Sequence, residues 1–422
     1  MTEPQPDKLT PMLRQYLELK ARYADALVLF QMGDFFELFY QDAEDAARAL
    51  SIALTSRNRS GEDRIPMAGF PIHAAEGYIG RLLEQGFKVV VCEQVEDPAQ
   101  AKGLVRREVT RILTRGTQVD PAALEARAEN YLAAVSFQGD RWGLGFLSLS
   151  TGEFRLTEGA GADALGDELW RLKPSELVVP EGSGGEVLAG ALAIFQTPPT
   201  KRFLPPFAFD PASAQRELGR VFGTLFLDGF GLQDHRLGVA AAGAVLRYLR
   251  DSHTVSLPHL DRLLPYSRDD FLGLDEATLR HLEIFETWRS GSRQGSLLEV
   301  LDATVTPMGA RLLGRWLRQP LKDKAAIEAR LDAGQFFKDH SVLRQRWRQA
   351  LKGLGDLERL TARLALDQAG PREVGAVRFA LGRLPLLREM IPPEAPPLVA
   401  DAAQDLEDLP DLYELISRAL AE

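Results

Sequence analysis

The chain has 422 residues and a mass of 46.7 kDa, with 45% hydrophobic and 26% charged residues, a size and composition that imply several folded domains and exclude a mostly disordered chain. Lys and Arg total 50 against 60 Asp and Glu, a net charge of −10 and a pI near 5.3, so no global field draws the protein to nucleic acid and any DNA binding must come from a local constellation. The single cysteine, Cys92, excludes intrachain disulfides and thiolate-rich metal sites.

Thr10-Pro11 predicts a helix start, with Thr as N-cap and Pro in the first turn, and Met12, Tyr16, Leu19 and Tyr23 follow at helical spacing. The apolar run 26–32, closed by Gly33, predicts a buried strand. Helices are expected over 43–54 and 74–85, the second stopped by Gly86, and the strand 87–92 holds Cys92 as a buried thiol. Alternation of this kind describes a small mixed α/β domain, placed at 1–117, with a linker over 118–129. Residues 132–137 and 142–149 form a hairpin pattern, and 153–156 continues it. A helix over 162–172, a strand over 176–180, an irregular Pro-rich run over 197–206 and a helix over 237–250 complete a second α/β domain at 130–255, whose order resembles the ribonuclease H-like architecture. From 256 to 422 the pattern is helical: one helix is marked by Leu279, Leu282, Phe285 and Trp288, another by Leu312, Leu313, Trp316 and Leu317, and others run over 325–340, 341–353, 356–366, 372–390 and 409–420. The fold class expected is multidomain α/β plus all-α.

Several chemistries are missing. There is no G-x-x-x-x-G-K-[ST] loop and no G-x-S-x-G elbow. The Gly-rich stretch 182–185 reads as a loop without a strand-to-helix signature. None of His73, His235, His253, His259, His281 and His340 has metal-ligand spacing. Two-metal nuclease chemistry needs a carboxylate on the first strand of a ribonuclease H-like sheet, and 132–137 carries none. No catalytic residue and no metal site is expected. No stretch reaches the roughly 18 apolar residues of a membrane-crossing helix. Met1 to Asp7 has neither the basic nor the apolar region of a signal peptide. A cytoplasmic protein, nucleoid-associated when on DNA, is expected.

Gly33-Asp34-Phe35-Phe36-Glu37-Leu38-Phe39 stands out. Three phenylalanines in five residues read first as a core strand. In an extended segment, however, Phe35 and Glu37 share one face and Phe36 and Leu38 the other, so one aromatic set can anchor while an aromatic-plus-carboxylate pair projects, and Gly33 permits the bend that presents it. The stretch 29–39 resembles the mismatch-reading segment of the bacterial MutS family of DNA mismatch-repair proteins. The resemblance extends through 65–74, 92–98 and 111–117, and a separate block, 301–309 with 313–320, is similar to that family's helical core.

The resemblance implies a mismatch-recognition domain, a connector and a helical core or lever, with the clamp and the ATPase that follow them in the family lying outside these residues. It implies that Phe35 is a minor-groove wedge and that Glu37 hydrogen-bonds the displaced base. Candidate phosphate contacts are Arg57, Arg106 and Arg107; Arg59 lies with Arg57 beside the 57–61 loop, Arg64 precedes the 65–67 turn, and Met67 lies near the wedge or in the core. ATP and Mg2+, a homodimer and a MutL-type repair partner belong to the family's full-length proteins; none of the cofactors is expected in this chain. Two other classes stay open: a scaffold of the same family that binds branched DNA or protein partners without reading mispairs, and a ribonuclease H-like nuclease.

Overall fold

The computed structural model describes residues 10–57, 64–96, 105–223, 231–252 and 256–420. Arg59, His253 and the Asp97-Pro98 end of one motif lie outside them. The chain divides into two compact units, Met1–Leu124 with Arg247–Val255, and Glu125–Leu246 with Ser256–Glu422.

In the first unit helix α1 (Pro11–Arg22) starts as its sequence predicts, Thr10 Oγ1 accepting from the Leu13 N–H at 3.4 Å. It is followed by β1 (Leu27–Met32), β2 (Phe35–Phe39), α2 (Tyr40–Leu50), β3 (Thr55–Ser56), β4 (Pro66–Pro71), α3 (Ala75–Glu84), β5 (Val89–Gln94) and β6 (Arg107–Leu113). The strands form one sheet in the order β3-β4-β2-β1-β5-β6, with β1 parallel to β5 and the other pairs antiparallel. Both faces are covered. Leu29, Phe36 and Leu38 pack on one face with Ile79 and Leu82 of α3 and Ala43 and Ala46 of α2, while Val28, Phe30, Phe39 and Cys92 pack on the other with Tyr16 of α1. Burial from two sides is why β1 reads as an unbroken apolar run rather than an alternating one. Burial also pushes the Cys92 thiol up to about 12, so the residue is an inert core side chain. Helix α2 begins earlier than its periodicity suggests and stops at Leu50, where Ser51 takes a left-handed φ of 56° and caps it.

The second unit opens with an antiparallel meander, β7 (Leu132–Gln138), β8 (Arg141–Ser148) and β9 (Glu153–Ala160), then α4 (Ala162–Leu172), β10 (Glu176–Pro180), α5 (Gly185–Leu192), β11 (Thr200–Leu204), α6 (Pro211–Phe222), α7 (Arg236–Asp251, which belongs to this unit as far as Leu246) and β12 (Leu264–Pro265). The order is β11-β10-β7-β8-β9-β12. Gly143 on β8 lets α7 lie directly on the sheet, since a Cβ there would stand 2.1 Å from the Leu237 carbonyl carbon. Two readings need correction. Residues 200–204, expected to be irregular, form a strand parallel to β10 at the sheet edge, where Pro205 and Pro206 fall just past its end. The Gly-rich stretch 182–185 does join a strand, β10, to a helix, α5. Its glycines suit the backbone, since Gly182, Gly184 and Gly185 all have positive φ, and a Cβ on Gly184 would also meet the Phe137 ring at 2.5 Å.

Among the described residues ten α-helices follow: α8 (Glu276–His281), α9 (Leu297–Leu301), α10 (Pro307–Arg318), α11 (Lys324–Asp339), α12 (Ser341–Leu351), α13 (Leu357–Ala365), α14 (Pro371–Leu381), α15 (Leu384–Glu389), α16 (Pro397–Gln404) and α17 (Pro410–Ala419). The helix expected through Trp288 ends near His281, because Glu283 adopts φ 49° and turns the chain. The stretch 372–390 is two helices rather than one. Pro385 has no N–H to donate back to Leu381, and the break falls at Gly382-Arg383. The segment 118–129 is ordered on both sides of the unit boundary. Asp120 caps a single 3-10 turn, its Oδ1 accepting from the Ala122 N–H at 2.9 Å, and residues 125–129 are held by arginines of α10 and α13 in the second unit.

Candidate nucleic-acid interface

The segment 33–39 folds as sequence alternation dictates. Gly33, at φ 59°, turns β1 back into β2, pairing Met32 with Phe35, Gln31 with Phe36 and Phe30 with Glu37. Phe36 and Leu38 point into the core under α2 and α3, exposed by 1% and 0%. On the opposite face Phe39 is sealed under α1 against Tyr16, Glu37 is partly buried, and Phe35 is 46% exposed. That gradient along one face is the central geometric feature of the site. The core grips the strand from behind, α1 covers its far end, and a large apolar ring is left standing at the hairpin tip.

Glu37 lies among cations. Its Oε2 is 3.9 Å from Arg57 Nη1, and the Arg57 guanidinium also sits 5.9 Å from the Phe39 ring centroid. Desolvation raises the Glu37 pKa above its ordinary value against the opposing charges of Arg57 and Arg107. A carboxyl so disposed takes up a proton readily when further negative charge approaches, and can then donate as well as accept a hydrogen bond.

The remaining candidates separate. Met67 on β4 faces Phe39 and is half-buried against the core under α1. Arg64 is exposed. Arg106 is exposed, paired with Glu108, and its backbone N–H donates to Glu96 Oε1 at 2.6 Å. Arg107, expected beside it on the outer surface, is turned inward and only 7% exposed. Its Nε donates to the Gln31 carbonyl at 2.7 Å, its Nη1 to the Val105 carbonyl at 2.9 Å, and the guanidinium lies 4.8 Å from the Phe30 ring centroid. The structure thus brings Phe35, Glu37 and Arg57 to one face and directs Arg107 beneath it.

Sequence reading passed over Gly69. It pairs with Glu37, and a Cβ there would stand 2.7 Å from the Phe36 carbonyl oxygen and 3.4 Å from Glu37 Cγ. A glycine inside a strand, between Ala68 and Phe70, was the available signal. Gly69→Ala is expected to destabilise the chain by about 1–3 kcal/mol through this overlap, read by urea unfolding. A variant as stable as the parent would show that β2 and β4 separate at no cost.

Three family descriptions match the chain in order: MutS domain I over residues 10–122, MutS domain II over 130–261 and MutS domain III over 277–422. Among curated proteins, the DNA mismatch repair protein MutS of Myxococcus xanthus (strain DK1622) is 44% identical over 415 residues, 98% of this chain and 46% of that protein. The protein of the same name from Syntrophobacter fumaroxidans is 44% identical over 421 residues, 99% of this chain and 47% of its own length. That of Desulfatibacillum aliphaticivorans is 43% identical over 420 residues, 98% and 47%. The chain spans about half the length of the curated relatives it matches. Among the described residues no helix is long and apolar enough to cross a membrane.

Proposed function

Because this chain belongs to the MutS family, whose domains I, II and III it carries in order, we propose that it recognises mispaired or unpaired bases in double-stranded DNA and that Phe35 and Glu37 do the reading. The observation that supports this most directly is the exposed Phe35 ring at the tip of a hairpin anchored by Phe36 and Leu38. A mispaired base is poorly stacked, so an apolar wedge entering from the minor groove unstacks that step at lower cost than a paired one. The phenyl ring replaces lost stacking, a contribution of about 1–3 kcal/mol by analogy with base–aromatic stacking. Glu37 then bonds an edge of the displaced base. The phosphate field favours its protonated form further, in the direction in which desolvation already moves it. Arg57 beside it, and the exposed Arg106 and Arg64, are the candidate phosphate contacts.

ATP and Mg2+ do not fit these residues: the three matching domains include no ATPase, and the sequence has no phosphate-binding loop. A homodimer, a MutL-type partner and initiation of repair in the cytoplasm are proposals of the same reading that concern the longer family proteins. The reading is tested by competition binding of the purified chain to a duplex with one G·T mispair, a duplex with a one-base loop, and a matched duplex. Preference for the first two is expected. Equal affinity for all three overturns it, and tight binding to four-way junctions without mispair preference supports the branched-DNA scaffold instead.

A further inference from the structure

The hairpin tip that carries Phe35 is braced by side chains that belong to neither of its projecting groups. β1 and β5 pair in parallel only as far as Phe30 and Cys92. Beyond that point the Gln31 side chain takes over the ladder. Its Oε1 accepts from the Gln94 backbone N–H at 2.8 Å, and its Nε2 donates to the Gly33 carbonyl at 3.2 Å. One amide therefore ties the turn to the last residue of β5.

Arg107 acts from the next strand. It sits opposite Gln94 in the β5–β6 register, and its side chain crosses to β1. There Nε donates to the Gln31 carbonyl at 2.7 Å, Nη2 lies 3.3 Å from Met32 Sδ, and the guanidinium covers the Phe30 ring. From the opposite edge, the Ile72 N–H donates to the Asp34 carbonyl at 2.9 Å. The residues of the turn, 31–34, are thus held from both sides, although no strand pairing on the β5 side reaches them.

We propose that Gln31 and Arg107 are positioning residues for mismatch recognition, which hold the 31–34 turn in the conformation that presents Phe35. The inference rests on the function proposed above and assigns Arg107 a role other than phosphate contact. A wedge that must be ordered at the moment of insertion binds more weakly than one already ordered, by the conformational freedom it loses. That difference arises only where the ring inserts. It therefore affects mismatched duplex and spares matched duplex, whose affinity comes from phosphate contacts and depends steeply on salt.

The test uses Gln31→Met, which keeps the volume but removes both bonds, and Arg107→Lys, which keeps the charge but cannot reproduce the forked contacts. Amide hydrogen exchange over residues 33–36 should accelerate in both variants while the thermal midpoint stays near the parent's. The ratio of mismatched to matched affinity should fall about 2- to 10-fold, and Gln31→Met should leave matched-duplex affinity and its salt dependence unchanged. A merely structural role would lower the thermal midpoint without changing that ratio. Parent-like exchange, or a parent-like ratio in both variants, overturns the inference while the proposed function stands. Absence of any mispair preference in the parent chain overturns the proposed function itself. A loss of affinity for both duplexes in Arg107→Lys, with a shallower salt dependence, would return Arg107 to the phosphate contacts and overturn its positioning role.

Discussion

Phe35→Ala is expected to abolish preference for a mispaired duplex while leaving the fold intact, and Phe36→Ala to do the reverse. The two residues are adjacent and chemically identical, and β2 sends them to opposite faces: Phe35 is 46% exposed at the hairpin tip, Phe36 is 1% exposed in the core under α2 and α3. Removing a ring that stands half exposed outside the core clusters alters stability by about 0.5 kcal/mol. It removes the stacking surrogate, about 1–3 kcal/mol, which is a loss of roughly 5- to 150-fold in affinity for the mispair and none for matched duplex. Phe36→Ala opens a cavity and costs about 3–5 kcal/mol of stability. Competition binding and urea unfolding on both variants separate the two effects. A Phe35→Ala chain with the parent's mispair preference removes the wedge assignment. A Phe36→Ala chain with parental stability would mean that the core does not anchor the hairpin.

The parts of this fold that the sequence discloses are those determined locally. The Thr10-Pro11 cap, the 132–149 hairpin, and α4 and β10 with their ends all follow from signals within a few residues. The alternation of Phe35, Phe36, Glu37 and Leu38 is of the same kind, which is why the candidate site is legible before its surroundings are. The illegible parts depend on partners distant in the chain. β11 is a strand only because β10 lies parallel beside it. Arg107 looks like a surface cation, since arginine is mostly exposed, and only the approach of Gln31, far away in sequence, turns it inward. Gly69 is conspicuous as a glycine in a strand, but its purpose depends on the register that sets Glu37 opposite it.

Arg311 depends most strongly on distant partners, and nothing in its own stretch of sequence distinguishes it. Its side chain is fully buried. It forks onto Asp356 at 2.6 and 2.7 Å, bonds Glu358 at 2.5 Å and the Ala126 carbonyl at 2.9 Å, and lies 3.6 Å from Glu129. Arg359 beside it donates to the carbonyls of Glu125 and Ala128 at 3.0 and 2.7 Å. Residues 125–129, which look like a linker, are in this way fastened to α10 and α13. Arg311→Ala leaves Glu129, Asp356 and Glu358 without their shared cation, and a buried pair broken on one side costs about 3–5 kcal/mol. Arg346→Ala, at an exposed position on α12, should stay within about 0.5 kcal/mol of the parent.

The loss in Arg311→Ala should also depend on pH, with a definite sign. Burial, reinforced by Glu153, raises Glu129 to about 7 against the opposing charges of Arg311 and Arg315, and Glu358 adds to the rise. Tyr131 and Ser148 face the same cluster through Glu153 and Glu129. Unfolded, a glutamate titrates near its ordinary value of about 4.3. Between these limits the folded chain holds a proton that the unfolded chain has lost, so this group lowers stability as pH rises through the window. Without Arg311 the window extends upward, and the deficit of the variant should be larger at pH 8 than at pH 5. Adding Glu129→Gln to Arg311→Ala should recover part of the loss, and more of it at pH 8, because it removes one orphaned charge. Unfolding of the variant within about 1 kcal/mol of the parent at both pH values would show that the anions relax into water. The arginine would then fill space without fastening the segment.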